Sequence, residues 1–237
     1  MRDGVELATD LWLPDRTGPV HAVLGRTPYN KNNERVSRLA ALFTGAGFAF
    51  AMQDVRGRGD SDGSFRPYVH DAADGCDTIG WLAEQDWCSG KVATIGGSYG
   101  GLIQWLTALQ QPAALAAMIV MVTPSDPYVE FPTGAQSPMM LSWHRLTAAR
   151  MRQEVAGFDW ASIYEHLPLL TMDEAAGIAA PHWREQLSHP TLDEFWEPKR
   201  YQGRLGELDL PVLHISGWYD DEQIGTPVNY AAMVAGG

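Results

Sequence analysis

The chain has 237 residues, enough for one large domain or one and a half. A net charge of −12, from 17 basic and 29 acidic residues, argues against a nucleic-acid partner or an anionic membrane surface. A hydrophobic content of 45 % with 24 Gly and 15 Pro is ordinary for a globular enzyme.

No apolar run follows Met1-Arg2-Asp3-Gly4, so no signal peptide is visible and a cytoplasmic location is expected. Val5 to Leu13 alternates apolar and polar residues and closes at Pro14-Asp15, which predicts an antiparallel edge strand. Val20 to Leu24 reads as a buried strand. Glu34 to Phe43 has helical spacing at Val36, Leu39, Ala40 and Phe43 and stops at Gly45-Ala46-Gly47. Phe48 to Gln53 is a further strand, and Ala72 to Glu84 an amphipathic helix with Ile79, Leu82 and Ala83 on one side. Arg56-Gly57-Arg58-Gly59 lacks the Lys-Ser/Thr of a phosphate loop and reads as a turn after a strand. Cys76 and Cys88, the only cysteines, make no metal spacing and are expected as free thiols. The histidines contain no H-x-x-x-H pair, so neither a metal nor a cofactor is expected.

Lys91 to Ile95 is a short β-branched strand and Leu102 to Leu109 a helix; between them stands Gly96-Gly97-Ser98-Tyr99-Gly100. This is G-x-S-x-G in the strand-to-helix context of a nucleophile elbow. A serine on such a turn is strained, so its hydroxyl projects from the sheet edge, and the helix aims its first N–H groups at an oxyanion formed there. A strand through Ala117 to Val122 follows; the apolar run it closes, from Ala113, is too short to span a bilayer. This βαβα rhythm predicts a parallel, doubly wound α/β sheet.

The rhythm breaks at Thr123-Pro124-Ser125-Asp126-Pro127. A long structureless loop is improbable in a compact domain, so 125–206 is read as a helical insertion between core parts 1–124 and 207–237. Its Trp143, Trp160, Trp183 and Trp196 read more readily as packing anchors than as ligand groups. Pro211 to Gly217 resumes the sheet, and Gly217-Trp218-Tyr219-Asp220-Asp221 puts carboxylates at the strand's C-terminal end, where open α/β sheets bind ligands.

The stretches Met1 to Leu7, Arg26-Thr27-Pro28-Tyr29-Asn30-Lys31, Gln53 to Gly63, Trp81 to Gly90, Gly96 to Gly101 and Gly217 to Asp220 run in order over nearly the whole chain. Together they resemble the CocE/NonD serine hydrolases, the cocaine-esterase-like and X-Pro dipeptidyl-peptidase-like enzymes. The resemblance implies an α/β-hydrolase fold with a helical cap. It implies Ser98 as nucleophile, Asp220 as triad acid, and an oxyanion hole made by the Tyr99 N–H and the Tyr29 phenol. Without it, Tyr29 would read as a loop tyrosine at a strand end. The implied partner is a small-molecule ester or peptide substrate: an aromatic ester, an α-amino acid ester or an Xaa-Pro peptide. Homo-oligomerisation is left open.

In α/β-hydrolases the histidine base follows the acid, yet the seven histidines lie at 21, 70, 144, 166, 182, 189 and 214, all before Asp220. The C-terminal part of the core and a following β-sandwich are therefore expected to be missing, leaving this piece inactive alone. Relatives that bind a free α-amino group use a carboxylate cluster. Asp126, Asp221 and Glu222, with Trp218 beside them, are either such an ammonium pocket or solvated loop residues. A binding protein that uses the fold without chemistry is the alternative; a covalent serine probe separates the two.

Overall fold

In the computed structural model, which describes residues 1–126 and 136–236, six strands form one sheet in the order β1-β3-β2-β4-β5-β6. They are β1 (Thr9–Trp12), β2 (Val20–Thr27), β3 (Ala49–Asp54), β4 (Cys88–Gly97), β5 (Leu115–Met121) and β6 (Val212–Ile215). All neighbours pair in parallel except β1, which runs antiparallel to β3 with Thr9 opposite Gln53 and Trp12 opposite Phe50. The edge strand is shorter than the Val5–Leu13 alternation suggests. The Ala8 N–H donates to Ser61 Oγ (2.9 Å) and the Glu6 carbonyl accepts from Asp62 N (2.9 Å). Residues 6–8 thus turn toward the loop after β3, while Ala8 O still accepts from Asp54 N at the end of β3 (3.1 Å).

Helices cover both faces of the sheet. They are α1 (Glu34–Gly45), α2 (Asp71–Ala83) and α3 (Tyr99–Ala108). Asn33 caps α1, its side chain accepting from Val36 N at 3.1 Å. Every residue of β3 is buried, as a strand covered on both faces requires. Its alternation divides the core. Phe50 and Met52 pack with Val36 and Ala40 of α1, whereas Ala49 and Ala51 pack with Ile79 and Leu82 of α2. The α3 side is filled by Leu102, Trp105 and Leu106 against Met118 and Val120 of β5. Burying side chains of this size contributes roughly 1.5–3 kcal/mol each. Cys76 and Cys88 are both free thiols.

Among the described residues between β5 and β6 there are helices and short 3-10 turns and no strand: α4 (Met140–Leu146), α5 (Trp160–Tyr164), α6 (Met172–Ala175) and α7 (Pro181–Leu187). This helical segment has a core of its own, where Trp183 meets Leu141, Met172 and Ile178. Its indoles are anchored by hydrogen bonds: Trp160 Nε1 donates to Val155 O (2.8 Å), Trp183 Nε1 to Leu169 O (3.0 Å) and Trp196 Nε1 to His189 O (3.0 Å). The 3-10 turn Gln202–Glu207 then brings Tyr201 and Leu205 onto the α3 side of the main core, beside α8 (Gly225–Gly236). No helix among the described residues is long and apolar enough to cross a membrane.

Candidate active site

Ser98 sits between β4 and α3 with φ 53° and ψ −128°, a conformation that side-chain-bearing residues rarely adopt. Its N–H is shared between Met121 O (3.0 Å) and Val122 O (2.9 Å), so the end of β5 holds the strained residue in place. The glycines around it let α3 approach the strand: a Cβ on Gly96 would lie 2.4 Å from Gly100 O, and one on Gly101 2.3 Å from Thr123 Oγ1. Ser98 O accepts from Gly101 N and Leu102 N (2.8 and 3.1 Å). Tyr99 is the first residue of α3, so its N–H has no acceptor within the helix.

The Tyr99 ring is fully buried and locks the first turn of α3. Its hydroxyl donates to Asp71 Oδ2 (2.6 Å) and accepts from Tyr68 N (3.2 Å). Asp71 in turn meets Arg26, whose Nη1 donates to Asp71 O at 2.8 Å. Burial pushes the carboxyl of Asp71 up, and Arg26 and the phenol pull it back.

Tyr29 stands in the loop after β2. Its oxygen accepts from Trp143 Nε1 of α4 at 3.0 Å. An indole only donates, so the phenol's own hydrogen is left to point elsewhere. Burial raises the phenol above its usual range, and hydrogen bonds with Trp143 and Ser98 lower it. It therefore stays neutral and able to donate beside Ser98.

The turns at 27–31 and 56–60 form one support for this loop. Fully buried Asp54, at the end of β3, accepts from Lys31 N (2.8 Å) with one oxygen and from Asp60 N (3.1 Å) with the other. Gly59 has φ +52°, and a Cβ there would sit 2.0 Å from the Asp54 carboxylate. Buried Arg58 donates to Pro28 O (2.8 Å), next to Tyr29, and to Thr147 O (2.9 Å) just past α4. The Arg56–Gly59 turn thus ties the Tyr29 loop to the helical segment; Arg56 itself pairs with Asp74 (2.6 Å) and Asp3 (2.7 Å).

Ser98 opens into a cavity of about 290 Å³ whose wall includes Tyr99, Leu102, Trp143, Trp196 and Glu222. On its other side a larger, more open cavity of about 770 Å³ is lined by Tyr29, Gly97, Met121 and Arg152. Ser98 stands where the two meet.

The sequence-derived carboxylates separate here. Glu222 reaches the centre, with Ser98 Oγ donating to its Oε1 at 3.4 Å. Asp220 lies on the turn after β6, where its Oδ1 accepts from Glu222 N (2.9 Å). Asp126 Oδ1 accepts from Tyr201 N (2.9 Å) and Gln202 N (3.3 Å), and burial pushes its carboxyl up. Asp221 and Trp218 are exposed, Trp218 by 83 %. The structure therefore gathers Ser98, Tyr99, Tyr29 and Glu222 and leaves Asp126, Asp221 and Trp218 outside both cavity walls. Trp143, read from sequence as a packing anchor, and Arg58, read as part of a turn, are the two supporting residues that sequence reasoning missed. Their partners lie 114 and 30 residues away, so no local pattern carries them.

Among the described residues no histidine hydrogen-bonds to Ser98 or Asp220. His144 is buried between Trp143 (5.2 Å) and Trp183 (5.9 Å), and burial drives it down to about 3. His182 contacts Glu185 (3.3 Å) and Phe65 O (3.2 Å). His214 on β6 packs on Trp105 and Tyr230. No group of three metal-ligating side chains occurs among the described residues.

Comparison with known proteins supplies the context. The family model of the X-Pro dipeptidyl-peptidases (S15 family) matches residues 3–234. Cocaine esterase of Rhodococcus sp. (strain MB1 Bresler) is 34 % identical over 244 residues, covering 93 % of this chain and 42 % of its own length. An α-amino acid ester hydrolase structure superposes with a TM-score of 0.84 at 26 % identity, over 99 % of this chain and 44 % of that one. An aminopeptidase from a marine sediment Thaumarchaeota archaeon has the same fold, with a TM-score of 0.85 at 24 % identity over 100 % of this chain and 45 % of that one. The chain thus spans less than half the length of these relatives. A match over nearly all its residues, an elbow serine at the edge of a doubly wound sheet and a helical segment between the last two strands agree: the chain has the α/β-hydrolase fold and belongs to the X-Pro dipeptidyl-peptidase (S15) family.

Proposed function

We propose that the protein carrying this chain cleaves esters or amides by acyl transfer through Ser98. The observation that carries the reading is the Tyr29 phenol. It accepts from Trp143, stays neutral, and lies with its free hydrogen beside a strained elbow serine. Ser98 Oγ attacks the scissile carbonyl carbon as its proton passes to a histidine base outside these residues. The tetrahedral oxyanion takes hydrogen bonds from the Tyr99 N–H and the Tyr29 hydroxyl. Collapse breaks the bond to the alcohol or amine, which leaves with the proton, and water then releases the acyl group by the same steps. Asp220, just past β6, would orient the histidine and stabilise its imidazolium.

The relatives are named a cocaine esterase, an α-amino acid ester hydrolase and an aminopeptidase. Glu222 bears on that choice. In this reading, a carboxylate 3.4 Å from Ser98 Oγ holds the ammonium of an α-amino acyl group. Asp126 lies outside both cavity walls whereas Glu222 lines the one beside Ser98, so the amine reading leans on Glu222.

A fluorophosphonate added to the full-length protein is expected to form its adduct on Ser98, located by peptide mass spectrometry. An adduct on another serine, or none, overturns the reading.

A further inference from the structure

The smaller cavity beside Ser98 also has Lys199 in its wall. Lys199 ends the 3-10 turn Glu197–Lys199, and its N–H donates to Trp196 O at 2.9 Å. Its Nζ lies 4.0 Å from the centre of the Phe195 ring, 4.6 Å from Trp196 and 6.0 Å from Tyr68. These rings are themselves fixed. Phe195 stacks on His189 at 4.4 Å and meets Trp196 edge-on at 4.9 Å. Tyr68 stacks on Tyr99, the residue after the nucleophile, at 4.6 Å.

An aromatic cage attracts an ammonium through its ring faces but offers neither counter-charge nor lone pairs. Among the described residues Lys199 forms no salt bridge with a carboxylate. Glu185, whose charge acts on Lys199, is already engaged by Arg66 (3.4 Å) and His182 (3.3 Å). Burial lowers Lys199 to about 8, so near neutral pH it is still mainly charged. The result is a positioned cation, its donors unfilled by described carboxylates, in the wall of the cavity that holds the nucleophile. The chain as a whole is strongly acidic, so general electrostatics do not account for a cation there.

We propose that Lys199 is an anion subsite of this cavity and selects ester or amide substrates carrying a carboxylate away from the scissile carbonyl. The proposal rests on the hydrolase reading, because Ser98 and Lys199 line the same cavity. The carboxylate can belong to the acyl part or to the leaving group, and the substrate pairs below tell these apart.

Binding is measured apart from turnover, by calorimetry on the full-length protein carrying Ser98→Ala. One pair is phenyl hydrogen glutarate and its methyl ester, with the charge on the acyl side. The other is 3-carboxyphenyl butyrate and its methyl ester, with the charge on the leaving side. A charge-assisted contact in a partly dry site predicts about ten- to hundredfold tighter binding of the acid in one pair. Lys199→Met should remove that preference and leave the neutral esters unchanged, whereas Lys199→Arg should keep it; Lys199→Gln replaces the Met variant if that one fails to fold. Equal affinity within both pairs, or a preference that survives Lys199→Met or Lys199→Gln, overturns the subsite. Turnover of phenyl butyrate by the protein with Ser98 intact reports on the hydrolase reading alone, so the two ideas fail separately.

Discussion

Tyr29→Phe removes one oxygen and keeps the ring that packs beside Tyr99 and Val55. Two consequences follow from the geometry. The developing alkoxide loses one of its two donors, a loss typically worth about 100- to 1000-fold in kcat. The ground-state carbonyl loses far less, so KM should move little. Trp143 Nε1 loses its acceptor at 3.0 Å in a partly buried site, which should cost roughly 1 kcal/mol of stability. The assay is steady-state hydrolysis of a neutral aryl ester by the full-length protein, with urea unfolding as the second readout. Trp143→Phe is the control. It leaves the phenol in place and removes only the group that aims it, so its kcat should fall less than about tenfold. A Tyr29→Phe effect confined to KM would make the phenol a substrate-positioning group. A larger kcat loss in Trp143→Phe than in Tyr29→Phe would refute the assignment of the donor.

Further outcomes are expected. Glu222→Gln should remove any preference for free-amine over N-acetylated substrates, while a phenyl ester is still hydrolysed; rates compared within each pair decide it. Gly96→Ala would put a Cβ 2.4 Å from Gly100 O, forcing α3 away from β4, and should destabilise by about 1–3 kcal/mol, read by urea unfolding. His144 is neutral in the fold down to about 3 but takes up a proton below 6.5 when unfolded, so stability should be fully present above pH 6.5 and fall as pH drops toward 3. The total is up to about 5 kcal/mol, and His144→Phe should flatten the thermal midpoint against pH over that window; parallel curves for the two proteins would rule the residue out.

The parts of this molecule that are legible in its sequence are those set by short-range periodicity. Phe50 and Met52 alternate with Ala49 and Ala51 because β3 is covered on both faces, and the elbow glycines stand where α3 meets β4. Tyr29 carries no such signal; a tyrosine after a strand is ordinary, and only the resemblance pointed to it. Its donor Trp143, 114 residues on, and the Arg58 bond to Thr147, 89 residues on, are products of chain folding. The Asp126 reading shows the opposite limit. A carboxylate just past a core strand looks available for ligand, but whether a backbone N–H 75 residues away will meet it is invisible in one dimension.

Ser98 and the exit from the sheet share a hinge pin. Ser98 N–H is held by the carbonyls of Met121 and Val122, and Val122 is itself at φ 39°, immediately before the chain departs into its helical segment. Anyone exchanging that segment between relatives to change substrate range would be cutting into the serine's own mount if the splice fell at 121 or 122. Thr123 is buried, and its hydroxyl fills the space that a Cβ on Gly101 would take. The first safe graft point on this side is therefore past Thr123. Chimaeras joined earlier should lose activity toward every substrate alike, and those joined later, with a tryptophan kept at position 143, should change only which substrates are accepted.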